Sequence, residues 1–295
     1  MTYRMFVQVA LLCCLVMGCT SPLWRTDGQR SLPIRFPVVY LDLDGTTLDS
    51  TDQPRSATLE ALESYRRCGG KVGFATGRSP DELKGLLPKL KPNMPLVVFN
   101  GAGVMDPETG LLSDLAPIDK EQTARFAAKA IPPKAASTIQ LHSTDRTDVV
   151  TTWQDLPTAI RASANLMKVI FTVQSDEADS LVARWSQTVT GTQLRVIRST
   201  RTTLEVLDQS ANKLRAIESV IAKHGVTLAD VMAFGDGAND AEMLSGTGMG
   251  VAMDNCLPPT CKAALVRTGS NDTDSIARIV RQVAMGRGCQ TGSVQ

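Results

Sequence analysis

The run Val38-Val39-Tyr40-Leu41-Asp42-Leu43-Asp44-Gly45-Thr46 decides how the rest of the chain is read. Its opening residues are apolar without alternation, as in a strand buried on both faces of a parallel sheet. The acids and the glycine that end it mark the strand's carboxyl end. Side chains alternate along a strand, so Asp42 and Asp44 project to the same side, with Gly45 turning the chain just after them. Outward from this run, short apolar stretches alternate with amphipathic ones. The pattern predicts a helix from about Arg55 to Arg67, closed by Gly69-Gly70, then a strand from Val72 to Ala75. A third strand, Leu96 to Phe99, ends at Asn100-Gly101. The rhythm resumes later with a helix from about Asn212 to Lys223, a strand from Val231 to Phe234 and a short helix after Asn239. A strand from Met249 to Ala252 and a last helix near Asp274 to Val283 follow. The fold class is α/β, a parallel sheet flanked by helices.

Between the two halves the rhythm changes. Candidate strands at Thr138–Leu141, Val149–Trp153, Lys168–Val173, Gln193–Ile197 and Thr203–Leu207, with a helix near Glu177–Thr188, read as a smaller α+β unit inserted into the first. The expected division is a core of residues 37–103 and 206–286 and a cap of residues 104–205. At the amino terminus Arg4 precedes an apolar run from Met5 to Met17, too short for the ~20 residues that cross a bilayer as a helix. It reads as a signal peptide of residues 1–19. Leu15-Val16-Met17-Gly18-Cys19 resembles a bacterial lipobox, which implies acylation of Cys19 and attachment on the exported side of the inner membrane or in the periplasm. Residues 20–36 would then be a tether. The alternative is a cytoplasmic enzyme with a miscalled start codon.

Composition narrows the function. The 295 residues carry 31 Lys+Arg against 30 Asp+Glu, a net charge of +1, so no global field recruits nucleic acid. A histidine-ligated zinc site or a paired-histidine phosphatase would need more histidines than His142 and His224, or would need them near a suitable partner motif. Seven cysteines form no CxxC pair. Cys256 and Cys261 could be bridged, but free buried thiols are the reading preferred here.

Four elements fall at the carboxyl ends of expected strands or at a helix start, where open α/β sheets place ligands. They are Asp42-Leu43-Asp44-Gly45-Thr46, Thr76-Gly77-Arg78, Lys213, and Gly235-Asp236-Gly237-Ala238-Asn239-Asp240. The second is followed by Ser79-Pro80-Asp81-Glu82, a capping box that pins a loop-to-helix junction. Asp42, Asp44, Asp236 and Asp240 would converge on one crevice. Like charges about 4 Å apart cost roughly 4 kcal/mol per pair at an effective dielectric near 20, so a divalent cation is called for. Carboxylate oxygens without thiol or imidazole select Mg2+. A carboxylate is already ionised at neutral pH, so Asp42 is suited to be a nucleophile. Asp44 is suited to proton transfer. Lys213 in a helix's first turn opposes the macrodipole, an exception that function explains better than folding does.

With these motifs the chain resembles the haloacid dehalogenase superfamily, and within it the Cof-type phosphatases, over about Val38 to Val283. The resemblance implies a Rossmann-like core with an inserted α/β cap. It puts the nucleophile and the acid/base on Asp42 and Asp44, and the threonine that holds phosphoryl oxygens, with Gly77 beside it, on Thr76. It also puts the lysine on Lys213, the acids that complete the magnesium site on Asp236 and Asp240, and a phosphate neighbour on Asn239. Departures from the family pattern are Leu214 after the lysine, Asp254 before Asn255, and Ser275. The implied partner is a small phosphorylated metabolite. Alternatives are a phosphomutase of the same superfamily, or a membrane-anchored interaction protein with vestigial activity.

Overall fold

The computed structural model describes residues 34–133 and 138–284. The amino-terminal signal, Cys19 and most of the tether lie outside the described residues. Among the described residues no helix is long and apolar enough to cross a membrane.

The core half is built on β1 (Val38–Leu41) and β2 (Lys71–Phe74). Strand β3 (Leu96–Val98), β4 (Gly103–Met105) and β5 (Leu112–Ser113) come next. The cap contributes β6 (Ile139–Ser143), β7 (Thr147–Val150), β8 (Leu166–Thr172), β9 (Leu194–Arg198) and β10 (Thr203–Asp208). The chain returns to the core with β11 (Val231–Gly235), β12 (Met249–Ala252) and β13 (Val266–Arg267). The core sheet is parallel, in the order β13-β12-β11-β1-β2. From β1 the chain moves outward to β2, then returns on the other side as β11 and continues to β12 and β13. The order therefore reverses between β1 and β11, which makes their carboxyl ends the place for a ligand. All four residues of β1 are fully buried, as its unbroken apolar run requires.

The third strand departs from the sequence expectation. Strand β3 meets the parallel sheet through a single bridge, Ala75 to Val97, and otherwise pairs antiparallel with β4, which pairs with β5. The cause is the tight turn at Phe99, Asn100 and Gly101, all with positive φ, which sends the chain straight back.

The cap sheet is antiparallel, in the order β7-β6-β8-β10-β9. Helices Lys120–Lys129, Leu156–Ala162 and Ala178–Thr188 complete it. Only the last of these stands out in the sequence pattern. The first buries Thr123, Ala124, Phe126 and Ala127, side chains mostly too small to leave a clear apolar period. Trp185 is buried at the centre of the cap with Phe171, 4.9 Å away, and Phe126 and Trp153 around it. Such aromatic pairs contribute about 0.5–1.5 kcal/mol each beyond burial. Alternation along β10 splits the two cores, since Leu204 and Val206 pack into the cap cluster while Leu207 belongs to the cluster of Leu41 and Phe74 in the core half. The boundaries expected at 103/104 and 205/206 fall inside β4 and β10.

Candidate active site

Asp42 follows β1 and Asp236 follows β11, so the two strands at the switch point deliver one carboxylate each to the same crevice. The Asp42 amide donates to the Phe234 carbonyl at 3.0 Å, which continues the sheet pairing into the site. Gly45 has φ +74°, and a Cβ there would stand 2.4 Å from Asp236 Oδ2. Glycine is therefore needed twice at that position, for the left-handed turn and for the close approach.

Lys213 begins the helix Lys213–Ala222, whose N-cap Asn212 accepts from the Arg215 amide. Its side chain is buried and bridges two acids, with Nζ 2.7 Å from Asp42 Oδ1 and 2.6 Å from Asp240 Oδ1. Asp240 Oδ2 accepts from the amides of Asp236 at 3.0 Å and Gly237 at 2.9 Å, fixing the loop that carries Asp236. Asp236 Oδ1 accepts from the Thr46 hydroxyl at 2.7 Å. Asn255 Nδ2 donates to the Gly45 carbonyl at 2.7 Å and so ties a further loop to the first. Oxygens of Asp42, Asp236 and Asp240 lie within 4.8 Å of one another.

Asp44 does not join that group. Its carboxylate faces Arg78, accepting from Nη2 at 2.6 Å and from Nε at 3.0 Å, and its side chain remains 41% exposed. The turn at Gly45 and capture by the guanidinium explain why two acids of the same strand parity end in different places. Thr76 is fully buried, and its Oγ1 accepts from the Arg78 amide at 3.0 Å. That occupies the acceptor side of the hydroxyl and leaves its hydrogen to donate. Gly77 lies against Asn100, and Asn239 donates to Asn100 Oδ1 at 2.8 Å. Thr46, Arg78 and Asn100 carry no role in the sequence expectations. The Thr-Gly-Arg triplet and the Asn-Gly pair at a strand end are the sequence signals for the last two.

The electrostatics explain the need for a cation. Three carboxylates against one ammonium leave a formal charge of −2 in a buried pocket. Burial, and then Asp240, push the Asp236 carboxyl up to about 7, against the hydrogen bond from Thr46. Burial, and then Asp240, also raise Asp42 well above the ordinary carboxylate range, with Lys213 pulling the other way. Burial opposes the charge on Lys213, but Asp240 and Asp42 outweigh it and hold the ammonium protonated. An ionised Asp42 therefore does not come free, contrary to the sequence expectation. The donor set, carboxylate oxygens only, fits a hard divalent cation that would restore the ionised form.

The two remaining cysteines of the region correct another expectation. Cys256 and Cys261 are not free thiols but a disulfide, with Cα atoms 5.6 Å apart. It spans the start of the helix Pro258–Ala263, beneath the Asp236 loop. There the Leu257 amide donates to the Asp236 carbonyl at 2.8 Å and the Thr260 hydroxyl to the Gly237 carbonyl.

A family model described as haloacid dehalogenase-like hydrolase matches residues 39–280. An HMP-PP phosphatase of Yersinia pseudotuberculosis is 33% identical over 244 residues, covering 76% of this chain and 85% of that protein. One from Cronobacter sakazakii is 32% identical over 236 residues, covering 74% and 84%. Among solved structures, a haloacid dehalogenase-like hydrolase from B. subtilis superposes with a TM-score of 0.70 at 20% identity. That match covers 84% of this chain and 100% of the other, and it establishes the likeness of fold.

Proposed function

The chain belongs to the haloacid dehalogenase-like hydrolases and is a phosphatase among them, and we propose that it hydrolyses small phosphomonoesters through a transient aspartyl-phosphate on Asp42. Sugar phosphates and phosphorylated cofactors are the substrate classes in view, and the HMP-PP phosphatase relatives support a phosphorylated substrate. The observation that carries the reading is the placement of Asp42: buried, held at Oδ1 by Lys213, and beside the carboxylate of Asp236.

Asp42 attacks the phosphorus through a carboxylate oxygen while the bond to the leaving oxygen breaks, and the electron pair departs with that oxygen. Asp44 supplies the proton that makes it an alcohol. A water then attacks the phosphorus of the aspartyl-phosphate, Asp44 takes its proton, and the bond to Asp42 breaks to release inorganic phosphate. Thr76 offers its hydroxyl hydrogen, with Gly77 beside it, to the phosphoryl oxygens, and Asn239 borders them. Lys213 holds Asp42 in place and balances part of the charge that builds up. Mg2+, held by Asp42, Asp236 and Asp240 with Asp44 nearby, would neutralise the phosphoryl oxygens as a Lewis acid when bound.

The same reading puts the enzyme on the exported side of the inner membrane or in the periplasm, anchored through Cys19. The Cys256–Cys261 disulfide supports this, because such bonds persist in oxidising compartments. Mass spectrometry of the mature amino terminus tests it, an unprocessed Met1 pointing to the cytoplasm instead. For the activity, the purified protein is screened against phosphorylated metabolites with magnesium and with chelator. Folded Asp42→Asn is expected to lose all magnesium-dependent turnover, and retention of turnover would overturn the assignment.

A further inference from the structure

Lys168 on β8 and Glu205 on β10 form an ion pair of 2.9 Å in which each side chain is only 3% exposed. Taking both charges from water costs several kcal/mol per ion, so the pair calls for an explanation beyond stability. Its partners supply one. Lys168 Nζ donates to the Gly77 carbonyl at 2.6 Å, reaching from the cap into the Thr76 loop. Glu205 Oε2 also accepts from Asn100 Nδ2 at 2.9 Å, Asn100 Oδ1 accepts from Asn239, and the Asn100 amide donates to the Thr76 carbonyl at 2.9 Å.

The polarity of this chain is forced. A carboxylate can only accept, so Asn100 must turn its NH2 toward Glu205 and its oxygen toward Asn239. Asn239 must then donate, which fixes its rotamer. On the other arm, Lys168 grips the carbonyl of the peptide that joins Gly77 to Arg78. The amide of that peptide donates to Thr76 Oγ1 and leaves the hydroxyl hydrogen free to donate elsewhere. Both arms end on groups that border the phosphoryl site.

We infer that Lys168 and Glu205 are positioning residues for phosphate, by which the cap completes the phosphate cradle of the core as well as covering it. This rests on the phosphatase reading of the site. The two cap side chains set the donor geometry of Thr76 and the rotamer of Asn239 without touching substrate.

Two readouts test it: calorimetric binding of inorganic phosphate in magnesium buffer, and steady-state hydrolysis of p-nitrophenyl phosphate. Glu205→Gln keeps the size of the side chain but can donate as well as accept, so it no longer dictates the Asn100 amide. The expected result is phosphate binding weakened about tenfold and KM raised similarly, with kcat within about threefold. Lys168→Met should do the same, and the double variant should lose no more than the worse single change, because the residues act as one unit. Asn100→Gly provides a second route should Glu205→Gln not fold. Glycine accepts the φ of 57° at that position, keeps the amide to Thr76, and removes the link. Weakened phosphate binding in that variant supports the inference. Cooperatively folded variants that bind phosphate within about twofold of the parent would overturn it, reducing the pair to a cap–core bond. Absence of turnover in the parent would sink the phosphatase reading alone, since calorimetry still decides the positioning claim.

Discussion

Replacing Lys213 with methionine keeps the length of the side chain and removes the one cation between Asp42 and Asp240. The structure sets the scale. The ammonium lies 2.7 and 2.6 Å from two carboxylates in a pocket where Asp240 is fully buried and Asp42 5% exposed. Removing one member of a buried charge cluster costs about 3–5 kcal/mol, because the partners stay buried and uncompensated. For a chain of this size that corresponds to a fall in melting temperature on the order of 10 °C. In chelator the full loss should appear, with the formal charge of the cluster falling from −2 to −3. Adding magnesium should recover part of it, since the cation then does the neutralising alone and binding stabilises the folded state by mass action. Activity should stay at least about a hundredfold down, because nothing replaces the hydrogen bond that fixes Asp42 Oδ1. Thermal melts in chelator and in magnesium, run beside p-nitrophenyl phosphate kinetics, measure both. A variant that melts with the parent in chelator would refute the charge argument, and one that turns over normally would refute the role of Lys213.

Gly45→Ala should disrupt the metal loop, since the new Cβ would fall 2.4 Å from Asp236 Oδ2 at a φ of +74°. The expected outcome is a stability loss of about 1–3 kcal/mol with weaker magnesium dependence, read by titrating activity with magnesium. Reducing the Cys256–Cys261 disulfide, or replacing both cysteines with alanine, should cost roughly 2 kcal/mol of stability for so short a loop. It should also raise the magnesium needed for half-maximal rate, because Leu257 and Thr260 brace the Asp236 loop, and an unchanged magnesium titration would count against that coupling. His142 is buried near Lys168, and burial, then Lys168, push its imidazole down to about 4. At neutral pH it is uncharged, so its 3.8 Å approach to Glu82 is not an ion pair there. A depressed histidine favours the folded state most above the unfolded value near 6.5, and that contribution is lost as pH falls toward 4. The gap is worth roughly 3 kcal/mol, so His142→Phe should flatten the decline of the denaturant midpoint between pH 7 and pH 4.5.

Much of the catalytic half was legible because each signal was local. The apolar run of β1, the capping box at Ser79 and Glu82, and the acids after β1 and β11 all report their own backbone. What the sequence hid depends on partners far along the chain. Lys168 and Glu205 look like ordinary polar positions on half-exposed strands, and only the packing of the cap on the core buries them against Gly77 and Asn100. The bridge between Cys256 and Cys261 depends on the turn into the helix Pro258–Ala263, which residue spacing does not specify. The antiparallel return of β3 depends on three successive positive φ values, and of those residues only glycine and asparagine advertise them.

Asp42 and Asp44 carry the same difference into the chemistry. Spacing alone puts them side by side, whereas the fold gives one a buried pocket and a fixed ammonium and the other a guanidinium in a more exposed position. That separation suits two roles. A nucleophile has to be immobile and poised on the phosphorus, while an acid/base has to exchange protons with a departing alcohol and an arriving water. If Asp44 is the acid/base proposed above, it cannot deliver a proton while both its oxygens accept from Arg78, so that pair would have to open during turnover. A phosphate dianion is the group with the charge and geometry to compete for that guanidinium. On the proposed mechanism, a phosphate that takes over the guanidinium would free Asp44 in the same step.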